Sequence, residues 1–540
     1  MMAQREQNLW NFFPLIIAIF AMLSVSAKSN PIITFNVDQT KNFQSIDGFG
    51  ASDAWRCQFV GKNWPLEKRE KIADWLFSSE VDENGNPQGI GLSIWRFYLA
   101  AGTTEQGEAS GIPSPWRRGE CFLSPEGKWD WTKYEGQRWF LNAAKKRGVP
   151  KFLAFTIAPP VQYAKNGKGY GTKGNSNFNI VPGKEKDYAA YLANVLQYFK
   201  LNEGIEFDYL SPFNEPQWDW ERGSQEGTPA KNDELFRFVK CVSNELSWLK
   251  LKTQIVVGEA GKLDYLYKTV GKNEGRDNQM ESFFSPTSSL YIGKLPNVAP
   301  IISSHSYFTI WPLTEQIESR KALAEKMQLV NPSVGYWQSE YCILEKNDEI
   351  GQGSKRDLGM ATALFVARII HNDLTICNAR SWQWWTAITE SDYKDGLVYL
   401  DSGNEKVSGE MGVKSKSLKF DGIARDSKLM WVLGNYSRFV RPGMVRIDVH
   451  SDNQQNLVDQ STDLQVSAYK DLSGKKTVLV FINYKEEGKI IELKGIKSTG
   501  KTCSIYVTNE SDNLKKYSTV LNHILIPKRS VSTLVIEGNE

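Results

Sequence analysis

The sequence is short of the residues that staple or metallate a chain. Six cysteines in 540 residues, at positions 57, 121, 241, 342, 377 and 503, contain no CxxC pair and make no disulfide framework. Four histidines, at 305, 371, 450 and 523, are scattered without ligand spacing, which speaks against a histidine-held zinc. No metal and no cofactor are expected. Lys and Arg number 65 against 62 Asp and Glu, a formal net charge of +3 with no long basic block. The counterion release that drives nucleic-acid binding is therefore not evident, and nucleic acid is an unexpected partner. No apolar run beyond residue 27 approaches membrane length, so no membrane insertion is expected of the mature chain. Internal repeats, long low-complexity linkers and a GxGxxG turn after the first strand are missing as well.

Residues 12–27 are apolar apart from Pro14, Ser24 and Ser26 and end in Val25-Ser26-Ala27, small residues spaced for a signal peptidase. Residues 1–27 read as a signal peptide cut near Ala27, with secretion or periplasmic export as the expected fate. What is abundant is aromatic: 18 Trp, 21 Tyr and 26 Phe. Most are core payload, although flat rings also suit the C–H faces of sugars.

From residue 46 to residue 424, short apolar or β-branched runs alternate with amphipathic stretches. Eight runs read as strands: 46–51, 91–97, 152–159, 209–216, 254–260, 301–308, 334–341 and 381–385. Stretches of 3.6-residue period lie between them at 184–201, 233–249, 314–329 and 357–371; Tyr188, Tyr191, Leu192, Val195, Leu196 and Phe199 form one stripe. Eight βα units predict an α/β fold, a (β/α)8 TIM barrel over 46–424. After residue 425 the period drops to two, predicting a β-sandwich over 425–540. Residues 28–45 hold an alternating run, 32–37, that is expected to join that sandwich.

The C-terminal ends of barrel strands face the active site. Two of them carry a glutamate: Asn214-Glu215-Pro216 closes the fourth strand and Ser339-Glu340 the seventh. A pair of carboxyls facing each other across the mouth is what glycoside hydrolysis needs, one to protonate the departing oxygen and one to attack the anomeric carbon. Glu215, among Phe213, Pro216 and Trp218, fits the acid. Glu340 fits the nucleophile, kept ionised by Arg96 at the end of the second strand.

The strand ends taken together resemble glycoside hydrolase family 30 of clan A. The matching pieces are Ile46-Asp47-Gly48-Phe49-Gly50-Ala51-Ser52, Gly91-Leu92-Ser93-Ile94-Trp95-Arg96, Ala158-Pro159-Pro160 with Lys165-Asn166-Gly167, Asn214-Glu215-Pro216, Ser304-His305-Ser306-Tyr307, Ser339-Glu340 and Trp384-Trp385. The resemblance implies a retaining O-glycosyl hydrolase whose catalytic residues are Glu215 and Glu340. It further implies that Asn214 meets the sugar 2-hydroxyl, that His305 and Tyr307 orient Glu340 or the sugar, and that Trp385 is the stacking floor with Trp55 beside it. The implied partner is a β-linked oligo- or polysaccharide. Bacterial endo-β-1,6-galactanase-like members are nearest in wording; β-1,6-glucanase, xylanase or glucosylceramidase-like activity is the alternative within the family, and a noncatalytic carbohydrate-binding protein the alternative outside it. The loop after Trp385 carries Glu390, Asp392 and Asp395 against Lys394 alone, a charge balance expected to repel a uronate-bearing xylan.

Overall fold

The computed structural model describes residues 32–271, 275–402, 415–453, 455–496 and 503–537. The signal-peptide reading of residues 1–27 lies outside them. In chain order, β1 spans Ile32–Ser45, and eight strands follow it: β2 (Gly48–Ser52), β3 (Ile94–Leu99), β4 (Lys151–Thr156), β5 (Tyr209–Ser211), β6 (Gln254–Ala260), β7 (Val298–His305), β8 (Gly335–Glu340) and β9 (Ala379–Trp384). These eight, β2 to β9, pair in parallel and close into a barrel, β9 returning to β2. The TIM-barrel expectation is borne out strand for strand. The four periodic stretches are the helices Glu185–Tyr198, Asn232–Trp248, Leu313–Val330 and Met360–Thr375.

Period-two alternation sorts the barrel side chains. On β3, Trp95, Phe97 and Leu99 join the large core between barrel and helices, while Ile94 and Tyr98 join the barrel interior with Leu153, Phe155, Val256, Ile301 and Trp337. Arg96 has the parity of Ile94 and Tyr98, so a guanidinium is threaded into the interior, with no exposed surface.

Between the barrel and the second β region lie elements not anticipated from sequence. A small sheet of β10 (Thr386–Thr389), β11 (Gly396–Asp401) and β12 (Ile423–Asp426) is inserted after β9. The helix Lys428–Ser437 follows, where the reading after residue 425 was wholly β. Its Leu429-Met430-Trp431-Val432-Leu433 run is buried on all sides and does not alternate, and Ser427 caps it by accepting the Met430 amide at 3.1 Å.

The last strands are β13 (Val445–Ser451), β14 (Leu464–Lys470), β15 (Lys476–Asn483), β16 (Lys489–Lys494), β17 (Cys503–Thr508), β18 (Lys515–Thr519), β19 (Ile524–Ile526) and β20 (Ser530–Glu537). With β1 they form one run of nine, β18-β17-β20-β15-β14-β13-β1-β16-β19, antiparallel except where β1 pairs with β16. Phe35 on β1 and Phe481 on β15 have ring centroids 6.1 Å apart although β13 and β14 separate their strands. A flat sheet would hold them ~14 Å apart. The run therefore folds over on itself as a β-sandwich. β15 serves two cores by alternation: Leu479 and Phe481 point into the sandwich, and Val478, Val480 and Ile482 into the core shared with the barrel. β18, Lys-Lys-Tyr-Ser-Thr, carries no buried face and no alternation; it is an edge strand with lysines along it.

Candidate active site

The eight sequence-predicted residues sit at the C-terminal mouth of the barrel or line the strands beneath it. Glu215 follows β5, Glu340 ends β8, and both are buried. His305 at the end of β7 lies between them, its Nδ1 2.8 Å from Glu215 Oε1 and 3.5 Å from Glu340 Oε1. One carboxylate oxygen of each glutamate lies within 4.8 Å of the other. Arg96 donates to Glu340 Oε2 at 3.2 Å, and the Tyr307 hydroxyl donates to Glu340 Oε1 at 3.1 Å. Asn214 is buried, and its Oδ1 has no hydrogen-bond partner among the described residues, an unsatisfied acceptor beside the carboxyl pair.

Trp384, the last residue of β9, and Trp385, just beyond it, part company. Trp384 is fully buried, parallel to Trp382, with its indole N–H on the Asp395 carbonyl at 2.6 Å. Trp385 is half-buried and meets Trp55 edge to face at 5.2 Å. Trp55 is almost wholly buried beneath it.

Glu259, which sequence reading missed, completes the cluster. It accepts from Arg96 at 3.3 Å and faces His305 Nε2 at 3.2 Å. Burial would raise its carboxyl, yet the His305 hydrogen bond and the Arg96 charge bring it down to about 2. Burial would likewise depress His305, but the Glu340 charge and the hydrogen bonds to Glu215 and Glu259 raise it to about 10. The imidazole is thus a cation donating from both nitrogens. Glu340 is raised by burial, with the His305 and Arg96 charges pulling it back. Two cations, Arg96 and His305, thus face three carboxylates, Glu215, Glu259 and Glu340.

Irregular backbone aims these groups. On β6, parity sends Val256 and Gly258 inward; Gly258 at φ +110° and Glu259 at φ +42° break it, the β6–β7 register slips between Val257 and Ala260, and Glu259 turns in. On β8, Ser304 of β7 faces Gln338 but His305 faces Glu340, a one-residue slip that brings Glu340 inward beyond Trp337. Glu215 itself has φ +46°, its amide held by the Glu259 carbonyl at 2.8 Å. Strain of this kind, roughly 1–3 kcal/mol per residue, concentrates where a side chain must be aimed.

The sequence profile of O-Glycosyl hydrolase family 30 matches residues 32–399. The chain belongs to glycoside hydrolase family 30. Among solved structures, this family 30 chain is similar to a conserved exported protein from Bacteroides fragilis (37% identity, TM-score 0.87, covering 93% of this chain and 100% of that one). It is also similar to the catalytic domain of xylanase C from Talaromyces cellulolyticus (21% identity, TM-score 0.65, covering 93% and 99%), a likeness of fold. Among curated proteins, it is 22% identical to an endo-β-1,6-galactanase of Hypocrea rufa, over 87% of this chain and 85% of that one.

The family 30 site also corrects the charge reading of the loop after Trp385. Glu390 and Asp395 are engaged by Arg56, at 2.5 and 3.8 Å, and Asp392 accepts the Arg356 amide at 2.9 Å. Arg117 adds a second guanidinium over the Trp55 ring, 5.6 Å from its centroid. Glu390 and Asp395 are thus paired with a guanidinium in place, so the bare count of acids in this loop overstates its repulsion of an acidic glycan.

Glu215, His305 and Glu340 also have a spacing that could hold a metal ion. The donor set fits hydrogen bonding better: His305 is a cation with both nitrogens on carboxylates, and Arg96 already occupies the far side of Glu340.

Proposed function

We propose that this family 30 hydrolase is a retaining enzyme working by double displacement, Glu340 as nucleophile and Glu215 as acid and base. The observation that carries it is the approach of the two carboxylates to within 4.8 Å, the close spacing of retaining rather than inverting glycosidases. Arg96, Tyr307 and His305 surround Glu340 with donors, whereas among the described residues the Glu215 carboxyl meets His305 alone; the carboxylate with more donors is the one suited to attack. In the first step a Glu340 oxygen bonds to the anomeric carbon as the glycosidic C–O bond breaks, and the Glu215 proton goes to the leaving oxygen. In the second, water gives its proton to Glu215 and its oxygen to the anomeric carbon, releasing Glu340. The free Oδ1 of Asn214 would accept from the sugar 2-hydroxyl, and Trp385 would stack under the sugar.

For substrate we propose β-1,6-linked galactan, cleaved within the chain. The near-full-length likeness to an endo-β-1,6-galactanase supports it, as does the wording of the first and third strand ends. Export is part of the same reading, supported by residues 12–27 and by the exported relative. Incubating the purified chain and Glu340→Gln with β-1,6-galactan, β-1,6-glucan and glucuronoxylan tests it. Release of β-configured oligosaccharides from galactan by the native chain alone is expected. Sugar binding without turnover on any of the three would favour a binding protein, and inverted product would remove the double displacement.

A further inference from the structure

Phe308 directly follows Tyr307, whose hydroxyl reaches Glu340, and yet is 46% exposed. A large ring left in water beside a buried polar cluster asks for an occupant. The ring is held there. Its residue has φ +58°, a strained conformation for a non-glycine, and its amide donates to Glu345 Oε1 at 3.1 Å. The Lys262 ammonium lies 5.4 Å from the ring centroid, and Trp218 meets the ring edge to face at 6.2 Å.

Trp218 shows which side of the site this is. It belongs to the segment that carries Glu215, with its amide on the Glu215 carbonyl at 3.2 Å. A Cβ added to Gly261 would lie 2.5 Å from the Trp218 indole nitrogen and 3.3 Å from Glu215 Oε1, so indole and carboxyl flank one small gap that glycine keeps open. The Trp55–Trp385 pair is built from other strand ends, after β2 and β9.

In a double displacement the acid faces the leaving oxygen, so a platform on the Glu215 side meets the departing sugar. Resting on the double-displacement reading, we propose that Phe308, with Trp218 beside it, is the stacking platform for the departing sugar on the leaving-group side and, in the second step, favours a sugar over water as acceptor. A pyranose laid on the open face of Phe308 presents its C–H patch to the ring. The same platform holds an acceptor for the glycosyl-enzyme: the acceptor hydroxyl oxygen bonds to the anomeric carbon, the bond to Glu340 breaks, and the hydroxyl proton passes to Glu215.

The test separates the two halves of the site. With β-1,6-galactobiosyl fluoride as donor, fluoride leaves without filling the platform. Phe308→Ala should therefore hydrolyse it within about twofold of the native rate while kcat/KM on β-1,6-galactan falls about tenfold. The ratio of transfer onto added β-1,6-galactobiose to transfer onto water should fall by a similar factor, and Phe308→Trp should restore both. Unchanged galactan cleavage and unchanged transfer ratio would overturn the platform, as would an equal loss on the fluoride. Should the native chain turn over no glycan, the double displacement fails, and calorimetry of β-1,6-galactotetraose on the native chain and Phe308→Ala decides the platform: weaker binding by the variant supports it, equal binding removes it.

Discussion

The barrel mouth and the sandwich interior are equally dry and chemically opposite. Inside the sandwich, Phe35, Val37, Ile447, Leu479, Phe481, Ile505, Ile526 and Leu534 pack with no ionised group among them. At the mouth, Arg96, Glu215, Glu259, His305 and Glu340 share a comparable degree of burial. Water-excluded apolar surface stabilises the first region directly. The second is costly to desolvate and holds only because each charge has a hydrogen-bonded opposite, so its members are interdependent. The difference teaches that burial alone does not say whether a region supports the fold or the chemistry; the pairing of its polar atoms does.

The sharpest break is at the nucleophile. Glu340→Gln should lower turnover on the order of 10⁴-fold or more while circular dichroism and the unfolding midpoint stay near native, since the amide keeps its shape. Next comes Glu215→Ala, expected to cost roughly 10²–10⁴-fold on natural glycan and far less on an aryl glycoside with an activated leaving group. Equal loss on both substrates would contradict the acid role.

Arg96→Met should damage fold and chemistry together. It removes one of the two cations that face Glu259 and Glu340 and leaves His305 alone against the buried carboxylates, a destabilisation of about 3–5 kcal/mol in denaturant unfolding, with activity falling too. Leu534→Ala, wholly buried in the sandwich, should cost a similar or smaller ~2–5 kcal/mol and leave kcat on soluble substrate unchanged. If it lowered kcat as Arg96→Met does, the separation of the two regions would be wrong.

Unfolding against pH gives the finest contrast. Glu259, lowered to about 2, contributes stability that is complete above its ordinary 4.5 and lost as pH falls through 2. His305, raised to about 10, contributes stability that is complete below its ordinary 6.5 and lost as pH rises through 10. Asp53, raised by burial to about 8, and Glu226, raised by burial to about 7, contribute stability that is complete below their ordinary 3.8 and 4.5 and is lost as pH rises to about 8 and 7. Stability should therefore peak in mild acid and decline in both directions. Leu534→Ala should lower that curve without changing its shape, whereas Glu259→Gln should flatten its acid arm.

Sequence by itself determined the alternation of strand and helix, the change of period near the sandwich, and the strand-end glutamates, because side-chain periodicity and residue chemistry are written along the chain. It supplied Glu215, Glu340, Arg96 and His305 by name and left Glu259 unnoticed, although Glu259 too stands near a strand end. The helix Lys428–Ser437 escaped because a helix buried all round shows no polar face, and β18 because an exposed edge shows no apolar one. Tertiary structure alone decided which strand-end side chains face inward. Parity would send Gly258, not Glu259, into the barrel and would stop at Ser339 on β8; the register slips of β6 and β8 and the positive φ at Glu215 and Glu259 are set by neighbouring strands. A pattern of period two fixes a face only while the backbone stays regular, and at this mouth closure of the barrel makes it irregular.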